Sequence, residues 1–384
     1  MFIVLAFLFF NSFAIKPEVM PIERAEIATA KMLALRDTLG LTERELFDIA
    51  LYIETNYNPS LRAVHRYERK ETTGLSRTIE YFPEDRQVYI HLKTHGIEKI
   101  GKGSAKSVTY SIKYDLMAPE LVANSVIKEH AHKKNSSQYE YNAIRMLNGC
   151  PGISYTYMIS SHVKRDGVQR VTSLLQKLYR KGTFSQYFKR EQMVPIKTVI
   201  KLTRDVMYGL KSIHSRNLVH GDFHMSNLMV DARKDLETGK ERLSGVIIDF
   251  NHTLDVEKAK LLAPRLQASR RRNPPECFLR PKEALDPKAV DVYAMGLCLY
   301  RIYFQVEPEW ASDKACFQGI VEMSEEEKMQ FGQILQSEID EFLRARCEDL
   351  GQCPEFARLI LQMCDPDPEN RPKVDEICAR LASM

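Results

Sequence analysis

Between Val219 and Asn227 the sequence reads VHGDFHMSN. Within that stretch lie two histidines, one aspartate and one asparagine. His220, Asp222 and His224 alternate, a pattern that can ligate zinc in hydrolases. Asp222 could instead work as an acid or base toward a hydroxyl. A polar turn without chemistry is the third possibility. Downstream, 244-SGVIIDFN-251 is a buried-strand pattern that ends in Asp249. Carboxylates beside apolar strands are costly to bury unless they are paired or meet a cation. Asn227 and Asp249 form a hard-oxygen pair suited to Mg²⁺. That would leave Asp222 to orient a hydroxyl nucleophile. Upstream, 100-IGKGSAKSV-108 sets Gly101 and Gly103 between strand-like runs. Such glycines let backbone amides approach phosphate oxygens, although turn chemistry alone also explains a hairpin there. Lys128 ends another strand-like run, and Glu140 sits in a helical segment. Packed side by side, they would form an ion pair that points the lysine at phosphates.

These residues need a frame. The segments 88–92, 107–114 and 122–128 are β-prone, as are 153–159 and 170–178, and a helix fits 136–147. A long amphipathic helix over 195–217 leads into VHGDFHMSN, and most of the chain beyond Pro195 reads helical. A strand-rich part followed by a helical part predicts an α+β, two-lobed architecture. Ahead of it, Pro21–Leu39 reads as a helix ended by Gly40. Thr42 and Glu45 then form a capping box before Leu46, Ile49, Ala50 and Ile53. Residues 16–80 are therefore expected to be a helical N-terminal extension.

Composition bounds the rest. The chain has 384 residues, 44% hydrophobic and 28% charged, which suits a soluble globular protein with room for two domains. Lys and Arg number 55 against 51 Asp and Glu, a net charge of +4 that does not point to nucleic acid as a partner. The eight cysteines are scattered without a C-x-x-C and read as buried free thiols. Phe2–Phe10 is an unbroken apolar run followed by Ser12 and Ala14. Residues 1–15 thus match a signal peptide, without its basic start, and are too short to span a bilayer. Export is the expectation, or a cytoplasmic place if the segment is not a signal.

Taken in order, the Gly-rich turn, strand Lys, helix Glu, H-x-D-x-x-x-x-N and D-F-x make the chain resemble the protein kinase superfamily over about residues 88 to 384. Three later stretches add to the resemblance. The first is 274-PPE-276, and the second is 290-VDVYAMGLCLY-300 with Asp291 in an anchoring position. The third is 365-DPDPENRP-372, whose Arg371 would pair with Glu276. The resemblance implies a kinase-like domain over 81–384, a β-rich N-lobe to 178 and a helical C-lobe from 179. It implies ATP and Mg²⁺ as cofactors and a protein hydroxyl, Ser or Thr, as acceptor. Gly101 and Gly103 would cover the ATP phosphates, and Lys128 would contact them, held by Glu140. Val108 and Met229 would sandwich adenine, with Gln176 as gatekeeper and Leu178 in the hinge. Asp222 would be the catalytic base, and Asn227 and Asp249 would hold Mg²⁺. His220, Phe250 and Ile144 would stack as an apolar column.

Four residues depart from the pattern. Lys106 replaces the third glycine of the loop. Gly221 replaces the arginine before the catalytic aspartate, which argues against control through a phosphorylated activation loop. His224 replaces a lysine that steadies the γ-phosphate, and would act as a catalytic hydrogen-bond donor. Asn251 replaces the last glycine of D-F-G, where its tolerance of left-handed backbone fits. The H-G-D-x-H-x-x-N form also resembles kinases of small molecules, and a scaffold without catalysis is a further alternative. The C-terminal motifs favour a protein substrate, whose identity is not written in the sequence.

Overall fold

The structure is a computed structural model. It describes the backbone of six strands between residues 65 and 131, and most of residues 138–384. The stretches 164–168, 180, 192, 236–237, 262–272, 280–283, 307–323 and 348–349 are not described. The expected signal segment and the helices of 21–53 lie outside the described residues. The chain divides into two compact units. One takes residues to His132 plus Ser173–Leu178; the other takes Lys133–Thr172 and Tyr179–Met384.

The first unit is an antiparallel sheet. Its strands are β1 (His65–Lys70), β2 (Ser76–Phe82), β3 (Gln87–Lys93), β4 (Lys99–Lys102), β5 (Lys106–Asp115) and β6 (Asn124–Ala131). They run in the order β1-β2-β3-β5-β6, and β4 also pairs with β5. Beyond β6 lies the second half of β8 (Gln169–Lys177). β1 and β2 correct the expected helical extension, which does not reach residue 80. Their pairing sets Tyr67 opposite Ile79 and His65 opposite Tyr81. That period of two is masked in the sequence by the charged residues that alternate with these apolar ones.

The second unit carries the helices. In α1 (Gln138–Leu147), Ala143, Ile144 and Leu147 form the buried face. The strand β7 (Thr156–Val163) follows, and Asn148 clamps its start by exchanging two hydrogen bonds with the Thr156 backbone at 2.8 and 2.9 Å. A short α2 (Phe184–Arg190) starts with a Thr183–Gln186 capping box. In α3 (Ile196–His214), Val199, Leu202, Val206, Met207, Leu210 and Ile213 recur at helical spacing and are buried. This helix carries a hairpin of β10 (Leu228–Lys234) and β11 (Glu241–Ile247). Lys201 Nζ bridges Asp205, at 2.8 Å, and the Leu243 carbonyl. The Gly245 amide donates to the same Asp205 carboxylate at 3.2 Å. A Cβ on Gly245 would collide with the Leu202 carbonyl, so a glycine is needed for β11 to lie on α3.

The remaining helices are α4 (Val256–Lys260), α5 (Glu276–Leu279), α6 (Pro287–Phe304), α7 (Glu325–Arg346), α8 (Pro354–Met363) and α9 (Val374–Ser383). α6 is apolar on all sides and buried through most of its length, as a central core helix must be. Arg371 ties this core together. It makes a two-pronged ion pair with Glu276, at 2.5 and 2.9 Å, and both side chains are buried. Its other N–H groups reach the carbonyls of Asp365, Ala289 and Pro366 at 2.6, 3.2 and 3.2 Å. All five guanidinium donors are thus used, and the group lies over the Tyr293 ring at 4.9 Å. Seven cysteines lie among the described residues as free thiols, with Cys277, Cys298, Cys364 and Cys378 buried. Among the described residues no helix is long and apolar enough to cross a membrane.

Candidate active site

The VHGDFHMSN stretch is the loop from β9 (Leu218–Val219) into β10. It is bolted to α6 by Asp291, which is fully buried. Asp291 Oδ2 accepts the His220 backbone N–H at 2.7 Å, and Oδ1 accepts that of Gly221 at 3.1 Å. His214 Nε2, at the end of α3, lies 3.2 Å from the same carboxylate. Gly221 has φ +73°, and a side chain in that left-handed region costs about 1–2 kcal/mol. The missing arginine at this position therefore has a backbone reason.

His220 is buried, and burial lowers its pKa, which favours the neutral ring. Its Nδ1 accepts the Asp222 N–H at 3.2 Å, which leaves Nε2 to donate to the Ile248 carbonyl at 3.1 Å. The ring packs edge-on against Phe250, 5.7 Å between centroids, and lies 4.5 Å from Phe223. It is a spacer between the loop and the strand that follows, with both polar atoms satisfied.

Asp222 is held from two sides. The Asn227 side-chain amide donates to the Asp222 carbonyl at 3.0 Å and to its carboxylate at 3.2 Å. His224 Nε2 lies 3.5 Å from the carboxylate, while its Nδ1 accepts the Ser226 N–H at 3.2 Å. Burial alone would raise the Asp222 pKa. The hydrogen bond and charge of His224 and, more weakly, His220 and His252 outweigh it and hold the carboxyl below its usual range.

The hairpin brings Asn227 and Asp249 to one place. Leu228 pairs with Ile247, so Asn227 and Ile248 leave the same end of the two strands. The Ile248 N–H donates to the Asn227 carbonyl at 2.9 Å, and Asp249 comes next. Asp249 has φ +62°. The left-handed backbone expected at Asn251 falls instead on Asp249. The chain must turn as it leaves β11, and aspartate tolerates this by bonding locally. Asp249 Oδ1 accepts the Asn251 N–H at 3.4 Å. Asn227 donates through Nδ2, so its Oδ1 remains for a cation. With the Asp249 carboxylate, the oxygen set fits a Mg²⁺ that keeps waters and phosphate oxygens as its other ligands. Among the described residues, no three His, Cys, Asp or Glu side chains converge as a metal cluster, so the zinc alternative has no support there.

The other expected site residues divide between the units. Glu140 is fully buried on α1, and Met229 is half-buried on β10, facing away from Leu228 and Val230. In the sheet unit, Gly101 pairs with Val108 next to a bulge in β4. Lys128 is in register with Thr109 and Leu175, and Gln176 pairs with Ile127. Gln176 is buried, and Leu178 follows β8 half-buried. Gly103 lies outside the described residues. Sequence reasoning missed His214, His252 and Thr253 as site residues. Thr253 Oγ1 donates to the His220 carbonyl at 3.4 Å, next to the bridge of β9 with β12 (Leu254–Asp255). The position of His252 just past D-F-N was the available signal.

A family model for the protein kinase domain matches residues 94–381. The chain belongs to the protein kinase family. This kinase is similar to the serine/threonine-protein kinase WNK of Caenorhabditis elegans, with 25% identity over 206 residues, 53% of this chain and 10% of that protein. It is 24% identical over 259 residues to serine/threonine-protein kinase KIN4 of Saccharomyces cerevisiae, covering 67% of this chain and 29% of that one. A membrane-associated tyrosine- and threonine-specific cdc2-inhibitory kinase of Drosophila melanogaster is 28% identical over 120 residues, 31% of this chain and 20% of that protein. The kinase thus spans less than a third of the length of each of these relatives.

Proposed function

We propose that the chain is an ATP- and Mg²⁺-dependent kinase that phosphorylates serine or threonine in proteins. The observation that carries this is the Asp222–Asn227 unit, an ionised carboxylate steadied by the side chain that would also hold the metal. The acceptor hydroxyl donates a hydrogen bond to Asp222. Its oxygen attacks the γ-phosphorus, the bond to the β-phosphate oxygen breaks, ADP leaves, and the proton passes to Asp222. Lys128 would hold the α- and β-phosphates. Gly101 and Gly103 cover the phosphates. Val108, Gln176 and Leu178 in one unit and Met229 in the other are the residues expected at the adenine. Asn227 and Asp249 would hold Mg²⁺, which when bound would supply charge neutralisation to the phosphates.

Two of the three relatives named above are Ser/Thr kinases by description, which supports the acceptor class. The H-G-D-x-H form favours a small-molecule acceptor, but the buried Glu276–Arg371 pair belongs to the C-terminal motifs that speak for protein. The deciding assay supplies purified chain with Mg-ATP, casein or myelin basic protein, and an aminoglycoside or choline. Phosphoserine or phosphothreonine in the protein is expected. Label in the small molecule alone would overturn the protein reading.

His224 sets the pH range of the base. Its loss removes the hydrogen bond and charge that hold Asp222 down. The Asp222 pKa then rises, so the carboxylate is protonated at a higher pH than in the wild type. The acid limb of the kcat–pH profile is therefore expected to move to higher pH in His224→Ala. An unmoved acid limb would show that His224 does not act through Asp222.

A further inference from the structure

Asn251 stands where the family has glycine, and its side chain does something a glycine cannot. Its Oδ1 is buried and meets no hydrogen-bond donor. An unmet buried acceptor costs about 1–3 kcal/mol, and such an atom calls for an explanation in the form of an ion, a water or a ligand. The hydroxyls of Ser154 and Thr203 are also buried without a partner. A hydroxyl can turn to serve as donor or acceptor, whereas an amide oxygen only accepts.

The surroundings of Asn251 narrow the choice. Its own N–H donates to the Asp249 carboxylate at 3.4 Å, so the two residues share one tight turn. Asp249 in turn follows Ile248, which is bonded to Asn227. On the other side, β12 pairs with β9 through Leu254 and Val219, and Thr253 bonds to His220. Asn251 therefore sits in the turn between β11 and β12, which the Thr253 N–H closes on the Phe250 carbonyl at 3.1 Å. The orphan oxygen thus belongs to the turn that carries Asp249, one of the two expected Mg²⁺ ligands. Amide oxygens are good ligands for hard cations, and oxygen ligands two residues apart are a spacing that cation-binding loops use.

We propose that Asn251 Oδ1 is a further oxygen ligand of the divalent cation, beside Asn227 and Asp249. This rests on the phosphotransfer reading above. It makes D-F-N a bidentate cation segment, and it predicts a tighter metal site than a glycine would give.

The test is calorimetric titration of MgCl₂ into the full chain saturated with a non-hydrolysable ATP analogue. Thermal melts of the metal-free protein run in parallel. Asn251→Ala is expected to weaken Mg²⁺ binding about tenfold, a typical loss for a residue supporting a metal site. Its metal-free melting temperature should stay the same or rise, because the deleted oxygen had no partner. Asn251→Asp keeps an oxygen in place and should retain tight binding, which guards against a misfolded alanine variant. Wild-type affinity in Asn251→Ala overturns the proposal. So does retained affinity with a lowered metal-free melt, which marks a structural water. Asp249→Asn separates the two readings. If it weakens Mg²⁺ binding and Asn251→Ala does not, only this inference fails. If neither does, the role given to Asp249 fails as well.

Discussion

Asp222→Asn is expected to slow phosphoryl transfer about a thousandfold, the range of a lost general base. The substitution keeps the shape of the side chain. The bond from Asn227 to the main-chain carbonyl of residue 222 does not depend on the carboxylate, and the amide oxygen can still accept at the 3.2 Å position. What goes is the capacity to take a proton and the charge that His224 faces. The KM for ATP should therefore hold while kcat falls. A second signature concerns stability. The Asp222 carboxyl is held below its usual pKa, so its ionised form favours the folded chain above the unfolded-state pKa. That contribution fades as pH drops through the folded-state pKa. At neutral pH the variant should melt slightly below the wild type, and the gap should close in acid. An unchanged kcat would remove Asp222 from the chemistry altogether.

Arg371→Ala should cost about 3–5 kcal/mol of stability, the loss seen when one member of a buried ion pair is removed. Glu276 would be left charged in the interior, 2% exposed, without the guanidinium that meets both its oxygens. Three carbonyls, of Asp365, Ala289 and Pro366, would lose donors at the same time. Urea denaturation followed by far-UV circular dichroism reads the loss as a lower midpoint. The double variant Glu276→Leu/Arg371→Met should recover part of it, because no lone charge is left buried. A loss near 1 kcal/mol, the level of an exposed pair, would mean that water reaches this pair.

The long-range pairs were legible through the resemblance to protein kinases, whose motifs the sequence carries in order. Arg371 was expected to meet Glu276, and it does so 95 positions apart in the chain. Asp291 was read as an anchor, and its carboxylate receives the loop amides. The ends of α1, α3, β5 and β8 also fall close to where periodicity puts them. Backbone strain was misplaced. Residue type says which side chains tolerate a left-handed turn, but the position that turns is set by hydrogen bonding between β11 and the loop. That sends the turn to Asp249. β1 and β2 went unseen because their apolar residues alternate with arginines and glutamates, so no continuous apolar run marks them. The pairing of β10 with β11 was likewise hidden. Each strand was visible alone, but register is a property of two segments. His214 gave no signal, since a histidine at a helix end has many uses.

The two bonds from the Asn227 amide to residue 222 have a genetic consequence. The proposed base and the proposed cation ligand are not separate parts that fail independently. A chain that has lost the Asn227 side chain has also lost one hold on Asp222, so lesions at the two positions should not simply add. Selection on this loop would act on the pair rather than on each residue alone.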